Sequence, residues 1–467
     1  MIGRWWGQLW PSWVDHNMRI VLIGRTAMSV ARAVAGVVTA LYLAAEGFSA
    51  LEIGVLFLVV TVMSAVISTA VGMTSDRVGR KPYLVAVPLL AAVSAGVFAW
   101  SADPVLLFVF AALGSFGRGQ GAGGGTVGPY QPAESAFVAE AVPAAARPAA
   151  FGRLAFVSSA GAIVGSLLSA LAHNGARLSP SGAVAAYRPA FVAAGALAAL
   201  AAVAALWLRE PGGRWGRRPR PVAGPNRPGT PRGGAAPATR RRSPVSWPRR
   251  SWPALWRLWA TNAVNGLGIG LLGPFVSYWL ARRYGASPAS IGLLFALVNL
   301  GSLATTLSAA GVGRRLGTVR AIVGVRAIGG LLTIPMVLAP TFWLAGALFF
   351  VRMMAQRIGM PLRQSFTQDL AHPEERSSVA ALSLLPAQGT MAIGQVLAGY
   401  LFDEVGLAAP FELSAVFQLA NAGLYGLLFG PATPKAGFEH RDDPAHPAAG
   451  GKSADSEPEV PAGRPGG

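Results

Sequence analysis

Cysteine is absent from the 467 residues, and charge is scarce, with Asp, Glu, Lys and Arg making up only 13% of the chain. The first absence excludes disulfides, thiolate metal sites and cysteine nucleophiles. The second argues against an ordinary soluble protein, in which about a quarter of residues are charged. Acids are the scarcer sign, 20 against 39 bases. The five histidines (16, 173, 372, 440 and 446) do not cluster, so no metal site or acid–base pair is expected from them. No glycine-rich phosphate-binding loop occurs, which argues against an ATP-driven pump. Hydrophobic residues, by contrast, reach 53%, and mean hydropathy is +0.47. The net charge of +19 does not indicate nucleic acid, because the basic residues sit in short links between apolar runs.

Those runs have bilayer-spanning length, about 20 residues each. They fall at 20–44, 51–73, 83–100, 105–128, 151–172, 188–208, 255–280, 288–310, 321–339, 342–360, 378–401 and 411–430. The fourth is expected to continue to about 140 with a bend near Pro129 and Pro132. The sequence therefore predicts an all-α membrane protein with twelve transmembrane helices in two six-helix bundles, residues 20–208 and 254–430. Residues 1–19 are read as a cytoplasmic segment and not as a cleaved signal, since they carry tryptophans, a proline and Asp15. Residues 209–253 are read as a disordered basic cytoplasmic linker, in which Glu210 is the one acid, and 431–467 as a disordered cytoplasmic tail. Arg77, Arg80, Lys81, Arg147, Arg153, Arg314, Arg315, Arg320 and Arg376 all fall on one side if both termini are cytoplasmic. Glu46, Glu52, Asp103, Asp403 and Glu404 fall on the other, with Arg282 and Arg283 as exceptions. The expected location is the cytoplasmic (inner) cell membrane.

An internal repeat supports two related halves. Pro132-Ala-Glu134-Ser-Ala-Phe137, continuing to Glu140 and Pro143, resembles Pro361-Leu-Arg363-Gln-Ser-Phe366, continuing to Asp369 and Pro373. Between the second and third spans stands Gly72-Met-Thr-Ser-Asp76-Arg77-Val-Gly79-Arg80-Lys81. This run resembles the signature loop of the major facilitator superfamily (MFS), and the likeness covers about residues 18–430 apart from the linker. The resemblance implies the MFS fold and secondary transport by alternating access. It also implies that Asp76, Arg80 and Glu140 form a charge cluster holding the cytoplasmic side closed in the outward-facing state. Without the family, Gly72 permits close helix approach, Gly79 a sharp turn, and Arg77, Arg80 and Lys81 retention of the loop on the cytoplasmic side. The counterpart in the second half, Gly311-Val-Gly-Arg314-Arg315-Leu-Gly317, has lost its acid, although Arg315 could meet Asp369.

Charges inside spans are costly and mark cavities or partners. Arg25 and Arg32 lie in the first span, Arg118 in the fourth, Arg352 and Arg357 in the tenth, and Asn262 and Asn265 in the seventh. Family helices 1, 4, 7 and 10 line the central cavity, so Arg32, Arg118, Asn262, Asn265, Arg352 and Arg357 are the candidate solute-binding residues. Arg25, near a helix end, is read as snorkelling to the membrane surface. Gln388, Gln395, Asn299, Gln418 and Asn421 are read mainly as interhelical hydrogen-bonding groups. With arginines but no mid-membrane acid, the cavity favours an anionic or zwitterionic metabolite. A proton-coupled multidrug efflux transporter is the alternative, weakened by the lack of a Gly-Pro pair in the fifth span; a polytopic membrane enzyme is a further one. Coupling to protons is left open, with Glu134 as the nearest carboxylate. No cofactor or metal is expected, and the chain is read as a monomer.

Overall fold

The structure is a computed structural model that describes residues 13–115, 128–172, 180–209, 248–372 and 375–430. The expected linker core and tail, and Arg118 with them, lie outside the described residues. Every regular element among the described residues is helical. Lipid cannot hydrogen-bond a bare backbone, so spanning segments must satisfy themselves as helices. In the first half these are α1 (His16–Ala45), α2 (Ala50–Val78), α3 (Lys81–Trp100), α4 (Pro104–Gly114), α5 (Gln131–Ala141), α6 (Arg147–Leu168) and α7 (Pro180–Leu206). In the second they are α8 (Trp252–Leu272), α9 (Val276–Tyr284), α10 (Pro288–Leu316), α11 (Thr318–Leu338), α12 (Phe342–Leu370), α13 (Arg376–Ser383), α14 (Leu385–Glu404) and α15 (Ala409–Phe429).

Local sequence sets many boundaries. Asp15 caps α1 by accepting the Met18 N–H at 2.8 Å. Ser49 and Glu52 form a capping box at the start of α2. Asp103, Ser287 and Thr341 cap α4, α10 and α12. Gly79 ends α2 at φ 99°, a conformation few residues but glycine adopt.

Eight helical stretches among the described residues are long and apolar enough to cross a membrane. The differences from the expected spans have local causes. The seventh run is not continuous: Gly273–Phe275 forms a tight 3-10 turn between α8 and α9, where Pro274 removes a helical N–H. The fourth run is described as α4, ending at a left-handed Ser115, and as α5. The tenth runs ten residues past its expected end, to Leu370, with Pro361 inside it. The eleventh is broken at Leu384, ahead of Pro386.

The halves repeat one packing scheme. In the first, α1 packs on α6 and α7, and α3 on α7. In the second, α8 packs on α14 and α15, and α11 on α15. Small residues make the close approaches, since lipid offers helices no hydrophobic drive to associate. Gly161 and Gly165 seat α6 on α1, and Gly266 and Gly270 seat α8 on α14. The halves meet through α2 against α14, α6 against α10, and α9 against α1. These contacts gather at the end away from the starts of α1 and α8. There the Asp403 carboxylate accepts the Ala50 and Leu51 N–H groups at 3.0 and 2.8 Å. A Cβ on Gly399 would stand 2.3 Å from the Ala50 carbonyl, and one on Gly54 2.5 Å from that of Gln395. Across the other pair, Ser169 donates to the Pro288 carbonyl at 3.1 Å. Phe57 meets Phe275, and Phe275 meets Phe402, with centroids 5.7 and 5.2 Å apart.

Candidate functional site

Each half holds a small cavity among matching helices. The first, lined by α1, α3, α5 and α7, contains Arg25, Tyr130 and Glu134. Arg25 is buried and forms an ion pair with Glu134, also donating to Ser158 Oγ. The expected snorkel is therefore corrected. Glu134 of α5 faces Arg25 across the helix interface and, with Ser158, supplies the counter-charge and acceptor that a buried guanidinium requires.

The second cavity, about 660 Å³ including its opening to solvent, lies between α8, α11, α12 and α15. Three arginines line it: Arg326 of α11, and Arg352 and Arg363 of α12. Arg326 Nη1 donates to Asn265 Oδ1 at 2.7 Å and to Asn421 Oδ1. Its guanidinium also lies 5.5 Å from the Tyr425 ring centroid, within cation–π range. Asn421 in turn donates to the Thr261 carbonyl, which fixes its amide orientation. Arg352, only 2% exposed, donates from Nε to Thr333 Oγ1 at 3.1 Å. Arg363 makes no side-chain hydrogen bond or ion pair among the described residues, and no Asp or Glu among them lines the cavity.

The internal repeat gives this contrast a sequence origin. Pro132 aligns with Pro361, so Glu134 aligns with Arg363. Where the first half sets an acid against Arg25, the second sets another arginine.

Of the expected solute-binding residues, Asn265 and Arg352 line the second cavity. Asn262 is buried and donates to the Ser383 carbonyl at 2.7 Å, tying α8 to the break before α14. Arg32 donates to the Ser115 carbonyl at 3.0 Å, beside Gly128. Arg357 is half-buried on α12. Arg326 and Arg363 are functional candidates that sequence reasoning passed over. One sits in a span given no cavity role, and the other three residues beyond the expected end of its span. The repeat alignment was the available signal for Arg363.

Among the expected gating residues, Arg80 forms an ion pair with Glu140 and donates to the Ala136 carbonyl at 2.8 Å, joining the α2–α3 turn to α5. A Cβ on Gly72 would only just touch Pro132, at 3.8 Å. Lys81 begins α3. The backbones of Asp76 and Arg77 lie in the last turns of α2, while their side chains lie outside the described residues. Arg315 and Asp369 are both exposed and form no ion pair with each other.

At the same end, Glu375 accepts the Ser251 and Arg250 N–H groups at 2.8 and 3.2 Å. Ser251 Oγ accepts the His372 N–H at 3.0 Å. The link between α12 and α13 is thereby tied to the start of α8. Desolvation pushes the Glu375 carboxyl up, but the hydrogen bonds from Ser251 and Arg250, with the nearby His372, together outweigh it and hold the group below the ordinary carboxylate range.

The Major Facilitator Superfamily model matches residues 21–260 and 258–458. No curated protein matches the sequence. Among solved structures, the chain is similar to the nucleoside transporter NupG in a point-mutant form, at 11% identity and TM-score 0.66, covering 89% of this chain and 100% of that one. It is similar to a bacterial homologue of the human lysosomal transporter Spinster, at 16% identity and TM-score 0.66, covering 90% and 97%. An auto-inhibited POT family peptide transporter gives 14% identity and TM-score 0.65, covering 93% and 99%. With two packed helical halves, a family match to each and these structural neighbours, the chain belongs to the Major Facilitator Superfamily and is a multi-pass membrane transporter rather than an enzyme.

Proposed function

We propose that this transporter carries a small anionic or zwitterionic solute across the cytoplasmic membrane by alternating access. The observation that supports this most is the charge inside the second bundle. Arg326, Arg352 and Arg363 share a cavity that no acid lines among the described residues, while the buried acid of the first bundle is already engaged by Arg25. A low-dielectric interior of that sign attracts anions and repels organic cations. It therefore speaks against the multidrug alternative for cationic drugs.

The rocking motion has a physical basis in the contacts between halves. They gather at the end carrying Ala50 and Asp403, so the interior of this state opens toward the end where α1 and α8 begin. The basic links favour that end as the cytoplasmic one. The motif at the α2–α3 turn is the proposed latch for the opposite state; here the Arg80–Glu140 pair lies within the first half, and Asp76 stands four residues before Arg80. Asp76→Asn is expected to lower transport while leaving expression intact.

Counterflow in proteoliposomes tests the reading. The panel should hold organic anions, zwitterions, cationic drugs, and the nucleosides and peptides named for the structural neighbours, each with and without a collapsed proton gradient. Exchange of anions or zwitterions is expected, and Arg352→Gln combined with Arg363→Gln is expected to abolish it. Exchange confined to cationic drugs, or wild-type anion exchange by the double variant, would overturn the assignment.

A further inference from the structure

The second-half cavity differs from an ordinary buried ion-pair site in one respect: its cations outnumber every counter-charge among the described residues that line it. Each guanidinium offers five N–H donors in a planar fork. Arg326 spends one nitrogen on two amide oxygens. Arg352 spends Nε on a hydroxyl, and its Nη1 lies 3.9 Å from the Met353 thioether. Arg363 spends none within the described residues. Each of these acceptors is neutral. A guanidinium in a membrane interior is costly without a counter-charge, and three lining one space repel each other as well. Protein neighbours orient Arg326 and Arg352 while leaving most of their donors unused. That is the pattern of a preorganised site whose counter-ion comes from outside the chain.

We infer that the cavity lined by Arg326, Arg352 and Arg363 binds a phosphate-type dianion, carried by a free solute or by a lipid headgroup. A single carboxylate supplies one charge and two oxygens. A phosphoryl group supplies two charges and several acceptor oxygens, and guanidinium forks meet them in bidentate fashion. The cavity is small and opens to solvent, so it admits only a small ligand or headgroup. Gln356, Gln418 and Asn265 add neutral polar groups on the same walls, suited to the uncharged part of such a ligand. Gly329 and Gly359 keep those walls back, since a Cβ at either would come within 3.1 Å of Gln418 Oε1 or Val325 Cγ1. The inference deepens the transport reading and rests on it for the ligand's route, whereas occupancy is measurable without transport.

The test uses full-length protein in vesicles of phosphatidylcholine and, in parallel, of phosphatidylcholine mixed with phosphatidic acid, whose monoester headgroup can carry two charges. The probe is radiolabelled inorganic phosphate, with unfolding temperature as the fold control. Saturable binding is expected in phosphatidylcholine. Arg363→Gln should weaken it by about tenfold, the loss of one charge-assisted contact. Arg363→Lys should keep most of it. Because the Arg363 side chain has no hydrogen-bonding partner among the described residues, the unfolding temperature without phosphate should not fall in either variant. Competition by phosphatidic acid would make the lipid headgroup the resident ligand, and binding unaffected by it would make the ligand a free solute; both support the site. Absence of phosphate binding in both vesicle types, or equal binding by Arg363→Gln and the native chain, would overturn it. If anion counterflow fails while phosphate still binds and still depends on Arg363, the transport reading falls and the site stands.

Discussion

Glu134 and Arg363 occupy matching places in the repeat and have opposite consequences. In the first half the acid is spoken for: Arg25, itself held by Ser158, engages it in a buried pair. Breaking such a pair by removing one partner leaves a bare charge in a low-dielectric site. Glu134→Gln is therefore expected to destabilise the protein by about 3–5 kcal/mol, read as a lowered unfolding temperature in detergent. Replacing both partners together, Arg25→Met with Glu134→Leu, should recover much of that loss, because the desolvation cost leaves with the charges. A pair that only decorated the surface would respond to neither change. The presence of intramembrane arginines was plain from the sequence, and so was Asn265. Their partners were not. Arg25 read as a snorkelling residue because its distance from a helix end is visible in one dimension, whereas Glu134 reaches it only across a helix interface. Arg326 was passed over because its span had no expected part in the cavity.

Helix ends and crossings carry the next set of consequences. The tie from Glu375 to Ser251 and Arg250 needs an ionised carboxylate. A carboxyl held below its ordinary range stabilises the fold fully above that ordinary value, and the contribution disappears as pH falls through the lower, folded-state value. The protection of the Arg250 and Ser251 amides, measured as exchange relative to its intrinsic rate at each pH, should thus stay high at neutral pH and fall in acid, below the ordinary carboxylate range. In Glu375→Gln the protection should lose that acid dependence. At the meeting of the halves, Gly54 faces the Gln395 carbonyl with no room for a side chain. Gly54→Val should push α2 off α14 and shift the population toward a state open at that end. Because the native chain lacks cysteine, spin labels on cysteines introduced at Ala102 and Val405 would report the separation directly, and an unchanged distance distribution would refute the prediction. Most helices could be placed from apolar run length alone. The breaks could not. Leu384 and the Gly273–Phe275 turn interrupt runs whose hydropathy continues across them, and only the backbone demands of Pro274 and Pro386 hint at the interruptions.

As a whole, the molecule is two copies of one packing plan with unequal interiors. The plan was legible because repeat, loop motif and span order agree. The inequality was less so, because it depends on which side chains of separate helices converge. It has an electrical outcome. The second bundle carries three fixed positive charges in its cavity, and the corresponding cavity of the first pairs its arginine with an acid. A bundle of that kind moving within a polarised membrane is a charge displaced in a field, worth up to about 2.3 kcal/mol per charge per 100 mV for full passage. A dianion would cancel two of the three charges, so the empty and the loaded carrier would feel the voltage unequally. Turnover in vesicles clamped with potassium and valinomycin should then change with the imposed potential even where no ion gradient drives it, and a voltage-independent rate would mean that these arginines stay still while the rest of the protein moves.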